Sequence, residues 1–229
     1  MIFIAAPFGN YISSNKTISV KGTFTRAPNG NRLKSIVKTL RYRPALGGWT
    51  NKLGLPNPGI YYALQRYSRE DVISIAEINQ GDFLQMASQI PDDQSLEINI
   101  SCPNLKDNPT MEYIHLFPND KREWCICKVG PLTTAEDLEY IISQGYRQIH
   151  FSNTLPTQHG GLSGPALRPY TTELIKLMKS INSAVTIIAG GGVQYYSDIL
   201  QYQLLGADHV SVGSVCFNPY KLYQIFKSV

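Results

Sequence analysis

The chain has 229 residues, close to the roughly 250 of one eight-stranded α/β barrel, so a single domain spanning 1–229 is expected. With 43% hydrophobic and only 17% charged residues it can bury a sizeable core, which excludes a disordered chain. The net charge of +4 comes from scattered Lys and Arg with no basic run, so nucleic-acid binding is not read from it, whereas anionic small molecules remain suitable partners.

The first apolar run, residues 2–6, is followed at once by Pro7 and has no basic flank, so it reads as a strand rather than a signal peptide or a spanning helix. No other stretch approaches ~18 uninterrupted apolar residues, and a soluble, cytoplasmic protein with no membrane partner is expected. Further β-rich runs lie at 17–21, 72–78, 96–101, 124–129, 148–152, 185–189 and 209–213, which makes eight strands. Helical patterns occupy 81–89, 133–144, 169–181, 196–205 and 220–227. Thr133-Thr134-Ala135-Glu136 has the form of a capping box, and Gly145 and Gly206 follow their helices as C-terminal stops. Regular β–α alternation argues a parallel sheet, and eight units argue closure into a (β/α)8 TIM barrel.

Two places depart from a regular barrel. About ten residues separate the first two strands, too few for a crossover helix, so the barrel is a compact variant with a shortened first crossover. The connection over 22–67 carries Pro and Gly throughout and no clear helix for much of its length. It is expected to rise over the C-terminal face as a binding loop. The cysteines at 102, 125, 127 and 216 show no paired C-x-x-C spacing and no nearby His, which favours free thiols in a reducing compartment over a metal site. His115, His150, His159 and His209 share no spacing, and no ligand or catalytic role is read for them.

Chemistry concentrates at strand ends. In Glu97-Ile98-Asn99-Ile100-Ser101-Cys102-Pro103-Asn104 a buried strand ends in a thiol flanked by two amides, at the end of the barrel where catalytic residues gather. Asn offers both donors and an acceptor, which suits the alternating C=O and N–H edge of a pyrimidine-like ring. An ordinary strand followed by a Pro turn with a buried thiol would look the same on this octet alone. Gly190-Gly191-Gly192 and Gly213-Ser214 end the last two strands, where barrels commonly bind phosphate through backbone N–H groups. Lys21 and Lys128 lie within apolar strands, a costly placement unless the charge is paired, serves a ligand or snorkels to the rim.

Together Asn99-Ile-Ser-Cys102-Pro-Asn104, Asn51-x-x-Gly54-Leu-Pro-Asn57, Gly160-Gly-Leu-Ser-Gly164 and the two glycine pairs resemble the dihydroorotate dehydrogenase family, from about Phe3 to Asn218 and in the family's order. The resemblance implies oxidation of dihydroorotate to orotate in de novo pyrimidine biosynthesis, with FMN accepting hydride. Cys102 matches the base of the soluble, cysteine-base class, and its action would depend on its thiolate fraction. Asn51, Asn99, Asn104 and Asn153 match the amides that hold the substrate ring, with Thr154 beside them. The backbone at Leu53-Gly54-Leu55 would lie along the substrate's carboxylate. Lys21 matches a Lys near flavin and substrate, and Lys128 the Lys over the flavin's N1–O2 edge. Gly164, Gly191, Gly192, Gly213 and Ser214 match the phosphate and ribityl contacts, with Ala6, Gly22 and Asn99 also on the flavin side.

The chain departs from the pattern in four respects. It is shorter than most relatives; Gly22 stands where Ser or Thr is usual; Lys52 stands in the Asn51 loop where a neutral residue is common; and residues 5–10 replace the first flavin-binding turn. No pair of amphipathic helices precedes the barrel, so a quinone acceptor is not expected. A soluble acceptor such as fumarate, used by a homodimer, fits this chain better than the NAD-linked form with its iron–sulfur flavoprotein subunit. The lid would be 104–109. Two other readings stand beside this one: a flavin-binding barrel that no longer turns over dihydroorotate, and a phosphate-binding barrel isomerase or lyase without flavin.

Overall fold

A computed structural model of the chain describes residues 1–101, 111–151 and 153–229. In chain order the strands are β1 (Ile2–Ile4), β2 (Thr17–Phe24), β3 (Arg41–Arg43), β4 (Gly48–Asn51), β5 (Val72–Ile75), β6 (Leu96–Asn99), β7 (Cys125–Val129), β8 (Gln148–Phe151), β9 (Leu155–Thr157), β10 (Gly160–Ser163), β11 (Thr186–Ala189) and β12 (His209–Val212). The helices are α1 (Arg32–Thr39), α2 (Ile60–Arg66), α3 (Asp82–Ala87), α4 (Ala135–Ser143), α5 (Arg168–Ile181), α6 (Tyr196–Leu204) and α7 (Pro219–Lys227). Eight strands pair in parallel and close on themselves in the order β1-β12-β11-β8-β7-β6-β5-β2, with β1 also bonded to β2. This is a (β/α)8 barrel, and its eight strands are the eight expected runs.

Burial follows the two-residue period of the strands. Outward side chains such as Ile73, Ile98, Cys127 and Ile187 pack against the helices in one large apolar cluster. Inward ones form a smaller plug of Phe3, Val20, Val72, Trp124, Ile126 and Ile188. Each fully buried side chain of this size contributes roughly 1.5–3 kcal/mol. Cys125, Cys127 and Cys216 are free thiols, and burial pushes Cys125 and Cys216 up to about 12, so they are protonated packing groups. Among the described residues no helix is long and apolar enough to cross a membrane.

The shortened first crossover is a single 3-10 turn, Phe8–Asn10. It lies so close to β2 that a Cβ on Gly9 would fall 2.2 Å from the Val20 carbonyl oxygen. Gly145 and Gly206 take φ of +97° and +105° after α4 and α6, as helix stops do. The capping box of α4 lies one residue later than expected. Thr134 accepts from the Asp137 N–H at 3.2 Å, and the Asp137 carboxylate accepts from the Thr134 N–H at 3.0 Å. The short Asp side chain closes the pair there.

The segment after β2 corrects the expectation of a connection largely without helix. It holds α1, the β3–β4 hairpin and α2. β4 pairs with β10 (Asn51 opposite Gly161), so a four-stranded antiparallel sheet β3-β4-β10-β9 joins this segment to the β8–α5 connection. The helix α1 carries an apolar stripe, Leu33, Ile36, Val37 and Leu40 at i, i+3, i+4 and i+7, yet has no buried residue: Leu33 and Val37 are exposed, while Ile36 and Leu40 line the larger cavity described below. Its start was nevertheless marked, since the Asn31 side chain accepts from the Lys34 N–H at 3.0 Å.

Candidate active site

Two cavities with shared walls open at the C-terminal ends of the barrel strands. The larger, about 430 Å³, is lined by Ala6, Asn51, Leu53, Lys128, Asn153, Thr154, Gly164, Gly191, Gly192, Gly213 and Ser214, all expected on sequence grounds. The smaller, about 160 Å³, shares Ala6, Asn51, Leu53, Lys128, Asn153 and Thr154 and adds Gly22, Leu55 and Asn99. Lys21 and Gly54 line neither cavity. The Lys21 ammonium instead donates to the Gly9 carbonyl at 3.0 Å and lies 3.9 Å from the Asp71 carboxylate. Cys102, Asn104 and the lid over 104–109 lie outside the described residues.

Part of the larger cavity's wall is backbone shaped by glycine. Gly191 and Gly192 have φ of +86° and +81°, and a Cβ on Gly192 would stand 2.5 Å from Arg168 Cγ. The Gly192 carbonyl accepts from Arg168 Nε at 2.9 Å, and the Arg168 guanidinium pairs with Asp198 at 3.0 Å. Asp198 in turn accepts from the N–H groups of Gln194 and Tyr195, which fixes the loop after β11 to the start of α6. Among the described residues the N–H groups of Gly191, Gly192 and Gly213 donate to no carbonyl oxygen. Gly213 is also open, since a Cβ there would meet only the Ala5 side chain at 4.0 Å. Convergent free N–H groups of this kind suit an anion such as a phosphate.

Amides cluster on the walls that the two cavities share. Asn153 Nδ2 donates to Asn99 Oδ1 at 3.0 Å and to Ser101 Oγ at 3.1 Å, which ties the end of β8 to the end of β6. Asn51 closes β4 and donates to the Gly161 carbonyl across the small sheet. Thr154 Oγ1 is buried without a hydrogen-bond partner among the described residues, an orphan on the wall of both cavities. A buried hydroxyl left this way calls for a ligand atom.

Beneath the amides lies a layer that sequence reasoning missed. Glu97, two residues before Asn99 on the inward face of β6, is fully buried. Its carboxylate accepts from His150 Nδ1 at 2.7 Å and Ser74 Oγ at 2.8 Å, and Lys128 Nζ lies 3.5 Å away. Ser74 Oγ is 3.0 Å from Thr23 Oγ1, so the network crosses from β8 to β2. Burial alone would raise the Glu97 carboxyl, but the Lys128 charge and the His150 and Ser74 hydrogen bonds outweigh it and hold it at about 2. Burial lowers His150 below its ordinary range, so its imidazole is neutral at pH 7 and Nδ1 carries the proton that Glu97 accepts. Polar residues at inward positions of three adjacent strands (Glu97, Lys128 and His150) were the available signal.

Comparison with known proteins agrees with this geometry. The family model for dihydroorotate dehydrogenase matches residues 113–229, half of the chain. The "Dihydroorotate dehydrogenase B (NAD(+)), catalytic subunit" of Oceanobacillus iheyensis is 29% identical, over 83% of this chain and 74% of that protein. The protein of the same name from Shouchella clausii is 27% identical over 97% of this chain and 83% of its own length. Among solved structures, the dihydroorotate dehydrogenase of Eimeria tenella in complex with ferulenol shares the fold. Its TM-score is 0.74 at 19% identity, covering 99% of this chain and 79% of that one. The barrel, the glycine and asparagine strand ends and the matched family model lead to one conclusion: the chain belongs to the dihydroorotate dehydrogenase family of oxidoreductases.

Proposed function

We propose that the chain is a single FMN-binding barrel domain, residues 1–229, that oxidises dihydroorotate to orotate in pyrimidine biosynthesis. The observation that carries this reading is the cavity pair, whose walls bring together the N–H groups of Gly191, Gly192 and Gly213, a cluster of Asn and Lys128. The residues fit FMN. Gly164, Gly191, Gly192, Gly213 and Ser214 would hold its phosphate and ribityl chain, and Lys128 and Thr154 would meet its ring. FMN, when bound, supplies the acceptor for the hydride that dihydroorotate loses.

The chain's own residues do the rest. Asn51, Asn99, Asn104 and Asn153 hold the substrate ring by its amide edges, in the smaller cavity bordered by Leu53 and Leu55. Fixed amides of this kind position the reacting carbon without reorganisation during the reaction. Cys102 removes the ring proton as the general base, a role that rests on its place in the Asn99-x-x-Cys102-x-Asn104 motif. Lys128, aimed by Glu97, places a positive charge at the cavity floor where negative charge develops.

The acceptor in the second half-reaction is soluble, and the location is the cytoplasm. The names of the two bacterial relatives favour an NAD(+)-linked form with a second subunit over the fumarate-linked homodimer expected from sequence. Titration of the apoprotein with FMN, followed by orotate formation with an artificial electron acceptor, tests the function. Stoichiometric FMN binding and catalytic orotate release support it. A protein that takes up FMN but makes no orotate overturns the enzymatic part.

A further inference from the structure

Arg32 opens α1 in the segment between β2 and the small sheet, and it lines both cavities beside Asn51, Leu53, Lys128 and Asn153. Two bonds hold it there. Its Nε donates to the Pro56 carbonyl at 3.3 Å and its Nη1 to the Tyr11 hydroxyl at 2.9 Å. Asn29 Nδ2 grips the Gly54 and Leu55 carbonyls at 2.7 and 3.1 Å, so the loop of 53–56 and the entry to α1 are fixed to each other.

The charges around the cavities are otherwise matched. Lys128 faces Glu97 at 3.5 Å, Lys21 faces Asp71 at 3.9 Å, Arg26 faces Asp82 at 2.6 Å and Arg168 faces Asp198 at 3.0 Å. Among the described residues Arg32 forms no ion pair. It is therefore the uncompensated cation on the cavity wall, and its Nη2 makes no hydrogen bond among the described residues. A guanidinium is well suited to a planar carboxylate, which it meets with directed N–H donors.

We propose that Arg32 recognises the carboxylate of the substrate and so selects an acidic pyrimidine over a neutral one. This rests on the dihydroorotate reading above and assigns to Arg32 a charge that Lys21, engaged with Asp71, does not bring to the cavity. The walls of the smaller cavity agree with the assignment. Asn51, Asn99 and Asn153 bring neutral amide groups to it, and Arg32 is the cation on its wall that no carboxylate among the described residues faces.

The test measures orotate binding to the FMN-loaded protein by the perturbation of flavin absorbance, in the parent and in Arg32→Gln and Arg32→Lys. A charge-assisted hydrogen bond contributes about 1.5–3 kcal/mol, so Arg32→Gln should raise the orotate Kd roughly ten- to hundred-fold while the FMN Kd stays within about threefold. Arg32→Lys, which keeps the charge but loses the fork, should fall between. An orotate Kd in Arg32→Gln within about twofold of the parent overturns the proposal, as does equal weakening of orotate and FMN. A parent that binds FMN but no orotate overturns the dihydroorotate reading itself, a result distinct from the other two.

Discussion

Replacing Glu97 with Gln removes one negative charge from the barrel interior and leaves the volume almost unchanged. In the native state that carboxylate is held at about 2, against an ordinary 4.5, by Lys128, His150 and Ser74. A depression of this size corresponds to about 3 kcal/mol of stability at neutral pH. The variant also strands Lys128 as a buried cation without its partner, and breaking a buried pair typically costs about 3–5 kcal/mol. Urea unfolding at pH 7 should therefore show Glu97→Gln destabilised by about 3 kcal/mol or more. Adding Lys128→Met should restore part of the loss, because the double variant buries no lone charge. The pH dependence follows from the same linkage. A carboxyl whose folded value is depressed contributes stability that is complete above 4.5 and lost as the pH falls toward about 2. His150, lowered from 6.5 by burial, also loses stability as acid protonates it in the unfolded chain first. The parent should thus weaken progressively below pH 6.5, and Glu97→Gln should show a shallower slope between 4.5 and about 2. A loss under about 1 kcal/mol at pH 7, with an unchanged acid slope, would refute the claim that this ion pair anchors the cavity floor.

Three other perturbations address the site. Cys102→Ala should keep FMN bound and slow flavin reduction by dihydroorotate by roughly two to four orders of magnitude, measured in single turnover; reduction at the parent rate would remove Cys102 from the role of base. Lys128→Ala should weaken FMN retention, read as the flavin-to-protein ratio after gel filtration, since the cavity floor loses its cation and Glu97 keeps only the His150 and Ser74 hydrogen bonds. Gly192→Ala forces a side chain into a φ of +81° and against Arg168, so a cost of about 1–3 kcal/mol and loss of tight FMN binding are expected in thermal unfolding and flavin titration.

Much of the barrel was legible because its strands are short apolar runs bounded by turn residues, and the five helices after β5 carry ordinary amphipathic patterns. The glycine strand ends were legible for a related reason: only glycine serves where φ is positive and a neighbour lies as close as Arg168 does to Gly192. The small antiparallel sheet was not legible. Its strands have three or four residues each, and β4 finds its partner β10 more than a hundred positions away, a pairing that no local period encodes. Helix α1 was legible in principle, from the Asn31 cap and the apolar period of Leu33, Ile36, Val37 and Leu40, but it has only eight residues and sits among Pro and Gly, and Arg32 was passed over with it. His150 was read as a bystander, because its partner Glu97 lies on another strand and only the barrel's register brings the two together. Lys21 was placed near the ligands by resemblance; no local pattern announced that its ammonium would also meet the Gly9 carbonyl and the Asp71 carboxylate.

The central claim is that this cavity oxidises dihydroorotate. The most direct measurement mixes the FMN-loaded protein with dihydroorotate under anaerobic conditions and follows the flavin's visible absorbance in a stopped-flow instrument. Rapid bleaching with one orotate formed per flavin is the expected result. A flavin that stays oxidised through prolonged incubation with saturating dihydroorotate would contradict it.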